Sequence, residues 1–421
     1  MSARSPSPAH SSPRVTAQIA LLLAAVVLGM SPWFSATVVA RAMVGEWTAS
    51  AAGPTGVGAG AAGIWLTLGV QVGFVAGSVL SAATLLADRL RPARLAGWCS
   101  LVAAVATAAL ALPGVRYEGA VLLRVVVGAS LSGVYPPGIK LAAGWTNTRR
   151  GTAIGALVGG TTLGSAMPHL LAVAVPASAW RSLVVLASAC AVGGALLFLF
   201  FVREGPFQSP SAPFDPRAIG EVFRSRGARL ATLGYLGHMW ELYAMWSAIG
   251  PFWQAAAVLY ALGSWAPPVI AFASISAGAI GSVIAGRLAD AVDRSTITIV
   301  AMAISATCAV VIGPSLGAPM LIPILISIVW GAAVVADSAQ FSAAVTEFSP
   351  ARYVGTAVTV QTATGFLLTM VTIRLVPMWA QSWGWERAFL PLALGPILGI
   401  VAMARLRPLE RQARKAGGRG V

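Results

Sequence analysis

Three residues able to bind or transfer protons are spaced by three positions within a single apolar segment. Tyr235, His238 and Glu241 lie in residues 229–250, whose other residues are mostly apolar. This spacing predicts that they share one face of an α-helix. An imidazole and a carboxyl group one turn apart could share a proton. Alternatively, they could form a structural hydrogen bond that shields both groups from their apolar surroundings.

Three further ionisable side chains, Arg124, His169 and Asp337, also lie in apolar segments. Arg124 could bind a carboxylate or another anion through bidentate hydrogen bonds, or it could neutralise Glu241. We predict that Asp337 lies near the inner end of its segment, where gating, packing and ligand contact are all open. His169 follows a proline, and we expect a structural role for it.

A polar cavity near these groups would need further lining residues. We expect Trp33, Gln71, Tyr235 and Gln361 to line it. Ser31-Pro32-Trp33-Phe34-Ser35 predicts a broken helix, because proline cannot donate a backbone hydrogen bond. Tyr135-Pro136-Pro137 predicts a second kink.

The elements that must position these residues are long apolar helices. The chain of 421 residues is 57% hydrophobic and 10% charged, with a mean hydropathy of +0.80. Apolar runs of roughly 20 residues match the thickness of a bilayer core, and in lipid such runs must be helical. We predict an all-α integral membrane protein with twelve spans, near residues 17–39, 61–83, 95–113, 117–139, 152–174, 182–202, 229–250, 264–286, 296–314, 319–340, 354–376 and 387–405.

The formal net charge of +15 is distributed by membrane side. With twelve spans, most arginines and lysines fall in the two tails and in the loops on the same side. This pattern follows the positive-inside rule, so we predict cytoplasmic termini in an inner membrane and no nucleic-acid partner. No phosphate-binding loop motif is present, and we expect no ATP, cofactor or metal. The cysteines Cys99, Cys190 and Cys308 are far apart, and we expect them to be packing residues.

The chain divides into two similar halves. Leu86-Ala87-Asp88 recurs as Leu288-Ala289-Asp290, and Gly128, Gly151-Thr152-Ala153 and Trp180 recur as Gly331, Gly355-Thr356-Ala357 and Trp385. Such duplication is typical of secondary transporters. We predict a disordered tail (1–16), a six-helix bundle (17–202), a cytoplasmic linker (203–228), a second six-helix bundle (229–405) and a basic tail (406–421).

The segment Leu85-Leu86-Ala87-Asp88-Arg89-Leu90-Arg91 resembles the motif between helices 2 and 3 of the major facilitator superfamily, and Gly286-Arg287-Leu288-Ala289-Asp290 resembles its second copy. Arg124-Val-Val-Val-Gly128 also resembles a motif of that family. The resemblance implies that Asp88, Arg89, Asp290 and Arg294 latch the two halves together. Glycines 155, 159, 160 and 164 are similar to the glycine-rich motif of its drug/proton antiporters, but tight helix packing explains them equally well.

These features together predict a monomeric, non-enzymatic secondary transporter working by alternating access. The solute would be a small polar or zwitterionic molecule or an organic anion, with proton coupling through Glu241, modulated by His238 and Arg124. Drug or metabolite efflux by proton antiport is the nearest alternative. A membrane-embedded transferase and a non-transporting sensor are less favoured, because the loops are short and the first outer loop lacks paired acids.

Overall fold

A computed structural model describes residues 13–50, 53, 59–146, 150–208, 215, 217, 219–289 and 291–415. No strand occurs among these residues, in agreement with the all-α expectation. The predicted tail at 1–16 lies mostly outside them, as do part of the linker and the last six residues. The side chains of Pro13, Ala59, Ala87, Asp88, Arg150, Ala177 and Glu221 also lie outside the description, as does the exposure of Gly60.

The described residues form twelve long helices in succession, and three of these helices consist of two segments. They are α1a (Pro13–Met30), α1b (Ser35–Ala49), α2 (Ala59–Ala83), α3 (Pro92–Ala109), α4a (Tyr117–Leu131), α4b (Tyr135–Gly144), α5 (Arg150–Ala174), α6 (Trp180–Leu196), α7 (Arg226–Leu259), α8 (Ala266–Ala289), α9 (Arg294–Val311), α10a (Leu321–Ala336), α10b (Ser338–Phe348), α11 (Val354–Trp383) and α12 (Leu394–Lys415). Short helical turns lie at Leu86–Arg89, Ala177–Ala179, Leu197–Phe201, Ile219–Val222, Ala351–Tyr353, Trp385–Ala388 and Leu390–Ala393.

Eleven of the described helical regions are long and apolar enough to cross a membrane. The remaining long helix, α7, has 34 residues but carries more polar residues, many of them buried in the protein. With twelve crossings the start of α1a and the end of α12 lie at one face of the bundle, called here the terminal face. The other face is called the opposite face.

Several helices extend well beyond the predicted spans, because polar residues in a terminal turn can remain helical outside the hydrocarbon. The predicted tenth span ended at residue 340, whereas α10b continues to Phe348. Asp337 therefore lies at the junction of α10a and α10b, inside the span, and the prediction that it lies near the inner end was wrong. The breaks predicted in the first and fourth spans are confirmed at residues 31–34 and 132–134.

The repeated glycines occupy equivalent packing positions in the two halves. A Cβ atom on Gly128 would lie 2.0 Å from the Val70 carbonyl oxygen, and one on Gly331 would lie 1.6 Å from that of Ser274. Helices α2 and α4a therefore cross as closely as α8 and α10a do. Small residues allow such close helix contact in membranes, so the duplication extends from sequence to packing.

The halves meet along α5 and α8 and along α2 and α11. Near the terminal face, a Cβ on Gly155 would lie 2.5 Å from the Ser282 carbonyl oxygen, and one on Gly286 would lie 2.5 Å from that of Gly151. The glycines of α5 thus bring two helices from different halves into backbone contact. Tight packing accounts for Gly155 at least.

Candidate functional site

Six aromatic side chains meet where the two halves face each other. Trp33 and Phe34 come from the break in the first helix and Phe74 from α2, while Tyr243 and Trp246 come from α7 and Phe366 from α11. We call this group the interhalf aromatic cluster. Phe74 and Phe366 stack with their centroids 4.3 Å apart, and Trp33 lies 5.1 Å from Phe74 and 5.6 Å from Tyr243. All six side chains are buried.

Four buried polar side chains on the same four helices have unpaired hydrogen-bonding atoms. They are the amides of Gln71 and Gln361 and the indole N–H groups of Trp33 and Trp246, and none has a partner among the described residues. Both glutamines are 0% exposed. Buried polar groups in folded proteins are almost always paired, so these exceptions on the four helices that form the aromatic cluster indicate a place for a ligand or for water.

Glu241 binds only neutral donors among the described residues. Its Oε1 accepts a hydrogen bond from Nε1 of Trp330 at 2.6 Å, and its Oε2 accepts one from the Ser305 hydroxyl. These partners lie on α10a and α9, so the carboxyl group is enclosed by the second half. A carboxyl group in this setting has no cation to hold it ionised, which makes it a candidate for proton uptake.

The sequence predicted that His238 pairs with Glu241. In the structure His238 pairs instead with Asp337. Its Nδ1 lies 2.8 Å from Oδ1 of Asp337, and its Nε2 lies 3.0 Å from the Ser338 hydroxyl. The imidazole therefore binds the break between α10a and α10b. The spacing correctly placed His238 and Glu241 on one helix, but neighbouring helices supply closer partners for each.

Arg124 contacts the broken first helix, and neither proposed partner, Glu241 or an anion, is needed to explain its position. Its Nη1 donates to the Pro32 carbonyl at 2.8 Å and to Ser35 Oγ at 3.4 Å, and its Nη2 donates to the Trp33 carbonyl. Its Nε donates to the Leu66 carbonyl of α2 at 3.0 Å. The guanidinium thus satisfies carbonyl groups released by the break, and its described hydrogen bonds do not include Glu241.

Tyr235 lies below the aromatic cluster, toward the terminal face. Its ring is 6.1 Å from both His238 and Phe341, and it packs against Gly365 of α11. His169 lies on α5 with its ring against Gly250 of α7, which places a buried imidazole between the halves on the opposite side of the cluster.

The predicted latch is only partly described. Arg294 contacts Glu347 at 2.9 Å and Gln340 at 3.0 Å, and its backbone N–H donates to Glu410 at 2.7 Å. All these partners belong to the second half, so Arg294 joins α9, α10b and α12 within that half. None of these contacts joins Arg294 to the first half, and its role as a latch between the halves stays a prediction. Arg89 is exposed, while Asp290 and the side chain of Asp88 lie outside the described residues.

The described residues contain no group of three histidine, cysteine or carboxylate side chains that could hold a metal ion. Sequence reasoning missed Phe74, Tyr243, Trp246, Phe366, Ser305 and Trp330. Aromatic and hydroxyl residues are common in membrane spans, and only the three-dimensional packing distinguishes these six.

No protein-family model matches the sequence, and no curated protein sequence matches it. Solved structures do match. The human organic anion transporter MFSD10 (TETRAN) is 14% identical with a TM-score of 0.67, and the alignment covers 93% of this chain and 100% of that one. The proton:xylose symporter XylE, bound to 6-bromo-6-deoxy-D-glucose, is 13% identical with a TM-score of 0.65, covering 93% and 96%. The chain therefore has the fold of the major facilitator superfamily.

Proposed function

We propose that this chain is a secondary active transporter that moves a small organic solute by alternating access. The four unpaired polar side chains on the helices that form the interhalf aromatic cluster carry the proposal. They lie between two halves with the fold of known transporters, in the region that opens when such halves rock against each other. Within each half, arginine side chains such as Arg294 and Arg124 connect neighbouring helices by hydrogen bonds. The contacts described between the halves are aromatic stacking and close packing at glycines.

We assign proton coupling to Glu241. It is 1% exposed, and its described partners are a serine and a tryptophan. Ionising a carboxyl group in these surroundings is unfavourable unless water or a cation reaches it, so opening of the halves would favour proton release. The His238–Asp337 pair joins the same helix to the break in the tenth span.

The terminal face carries most of the basic residues, so the proposed orientation places both termini in the cytoplasm of an inner-membrane protein. Membrane lipid and a solute are then the partners, and neither ATP nor a second copy of the chain is required. Efflux of a drug or metabolite by proton antiport is a second candidate. The aromatic cluster favours it, because stacked rings suit solutes with an apolar body.

The test measures both solute uptake and the accompanying proton movement in proteoliposomes, the latter with an entrapped pH-sensitive dye. Small metabolites are added one at a time to vesicles holding the full chain. At least one is expected to move protons with the unmodified chain and none with Glu241→Gln. Glu118→Gln, at an exposed position on α4a, should behave like the unmodified chain. If no metabolite crosses the membrane, the transport proposal is wrong. If solute crosses regardless of the gradient and of Glu241→Gln, the coupling assignment is wrong.

A further inference from the structure

We propose that the solute bound between the halves is uncharged, with a flat aromatic or heteroaromatic body and a carboxamide-like group that both donates and accepts hydrogen bonds. This inference rests on the proposed function and names the class of solute for that site. Among the polar, zwitterionic and anionic solutes expected from the sequence, it selects an uncharged polar one.

The first argument concerns charge. The Arg124 guanidinium makes four hydrogen bonds to the first and second helices. His238 and Asp337 lie within ion-pair distance of each other, and the Glu241 carboxyl group is enclosed by α9 and α10a. Each of these groups is engaged within one half. An ionic solute in the cluster would find none of these groups free as a countercharge, and burying an unpaired ion is strongly unfavourable.

The second argument concerns shape. Phe74 and Phe366 come from opposite halves and stack at an interplanar angle of 26°. Trp33 and Tyr243 flank the pair, with Tyr243 5.1 Å from Phe366. When the halves separate, the two stacked faces lose each other as partners. A flat ring entering between them would restore stacking on both sides, which an aliphatic solute cannot do as well.

The third argument concerns hydrogen bonding. Gln71 lies one turn from Phe74 on α2, and Gln361 lies one turn from Gly365 of α11, against which the Tyr235 ring packs. Each amide offers both donors and an acceptor, whereas the indole N–H groups of Trp33 and Trp246 only donate. The matching solute must supply acceptors to the indoles and both types of group to the amides. A carboxamide provides both without charge.

The test uses two matched series of ring compounds on the purified full chain in detergent. The first is benzamide, benzoate and benzylamine, and the second is 2-naphthamide, 2-naphthoate and 2-naphthylmethylamine. Affinity is measured by isothermal titration calorimetry. In at least one series the carboxamide is expected to bind at least about tenfold more tightly than its charged counterparts. Tighter binding of a carboxylate or an amine, or binding by none of the six, would overturn the inference.

Variants then locate the binding. Gln71→Leu and Gln361→Leu should each weaken carboxamide binding by about tenfold, the usual effect of removing one well-placed hydrogen bond. Gln381→Leu, at an exposed position of the same α11, is the matched control and should leave affinity unchanged. Unchanged affinity in both glutamine variants would overturn the placement of the solute beside these amides. The selectivity among the six compounds is measured on the unmodified chain, so a folding defect in a variant does not affect it.

The outcomes separate this inference from the proposed function. Selective carboxamide binding without any solute flux in proteoliposomes would contradict transport and support the solute class. Coupled flux of a carboxylate or an ammonium compound through the same site would support transport and overturn the solute class.

Discussion

The imidazole of His238 lies 2.8 Å from the carboxylate of Asp337, across the junction that divides the tenth helix. The equivalent position in the fourth helix is Val134, so the first half has no such pair. Both side chains are 2% exposed, and each shields the other from an apolar environment. The pair therefore fixes α7 against the break between α10a and α10b.

This pairing predicts strong coupling between the two positions. His238→Leu and Asp337→Val should each lower stability, because each leaves one buried polar group without its partner. The double variant should be less destabilised than the sum of the two by about 1 kcal/mol or more. Thermal unfolding of the four proteins in detergent measures this, and additive losses would contradict the pairing.

Arg124 is predicted to be essential for stability. Arg124→Lys keeps the charge but cannot donate in the forked geometry that reaches Pro32, Trp33 and Leu66. Each carbonyl left without a donor costs about 1–3 kcal/mol, so a clear drop in melting temperature is expected. Arg116→Lys, at the exposed start of α4a, is the control. Unchanged stability with lost solute binding would instead favour Arg124 as an anion ligand.

The glycine contact between α5 and α8 predicts a variant in which the halves cannot close at the terminal face. Gly155→Leu places a side chain where a Cβ already lies 2.5 Å from the Ser282 carbonyl oxygen. Solute flux in proteoliposomes should fall by more than about tenfold, because the halves cannot close. The protein should remain monodisperse, because separation of the halves relieves the clash. Gly45→Leu, where a Cβ would meet nothing within 4 Å, should transport normally. Normal flux in Gly155→Leu would show that closure there is not required.

Asp293 is predicted to make stability pH-dependent at the terminal face. Partial burial alone would raise the pKa of Asp293, but the Thr296 hydroxyl and the charges of Arg407 and Arg411 outweigh it, and the pKa is lowered. A lowered folded-state pKa means that the stabilisation is fully present above the unfolded value of about 3.9 and is lost as the pH falls through the folded value.

Asp293→Asn should therefore be less stable than the unmodified chain at pH 7, and the difference should shrink as the pH falls below about 4. Melting curves of both proteins in detergent across that range provide the measurement. A difference that stays constant with pH would show that the charge of Asp293 does not stabilise the fold.

Much of the architecture could be predicted from residue patterns. Apolar runs predict the helices that cross lipid, and Ser31-Pro32 and Pro136-Pro137 predict two of the breaks. The repeated glycines Gly128 and Gly331 report where helices must touch. The ends of the helices were harder to predict. Hydropathy reflects the thickness of the bilayer and not the length of a helix that continues beyond it.

The partners of the buried ionisable groups could not be predicted. A spacing of three identifies neighbours on one helix, as for His238 and Glu241, but the closest partner depends on how the helix is rotated against others. His238 binds Asp337, which is 99 positions away. Arg124 binds backbone carbonyl groups, and because every residue has one, the residue types do not indicate which carbonyl is the partner. Backbone acceptors exposed by a break become visible only in the structure.

The most direct test of the central claim is whether the two halves rock against each other. Spin labels are placed at Thr84 and Arg287 on the terminal face, and in a second protein at Gly45 and Ser264 on the opposite face. In both proteins the three native cysteines are replaced by alanine. Double electron–electron resonance in lipid nanodiscs should show two distance populations for each pair. A shift in pH or addition of a bound solute should widen one pair while narrowing the other. A single distance in each pair that neither treatment changes would contradict alternating access.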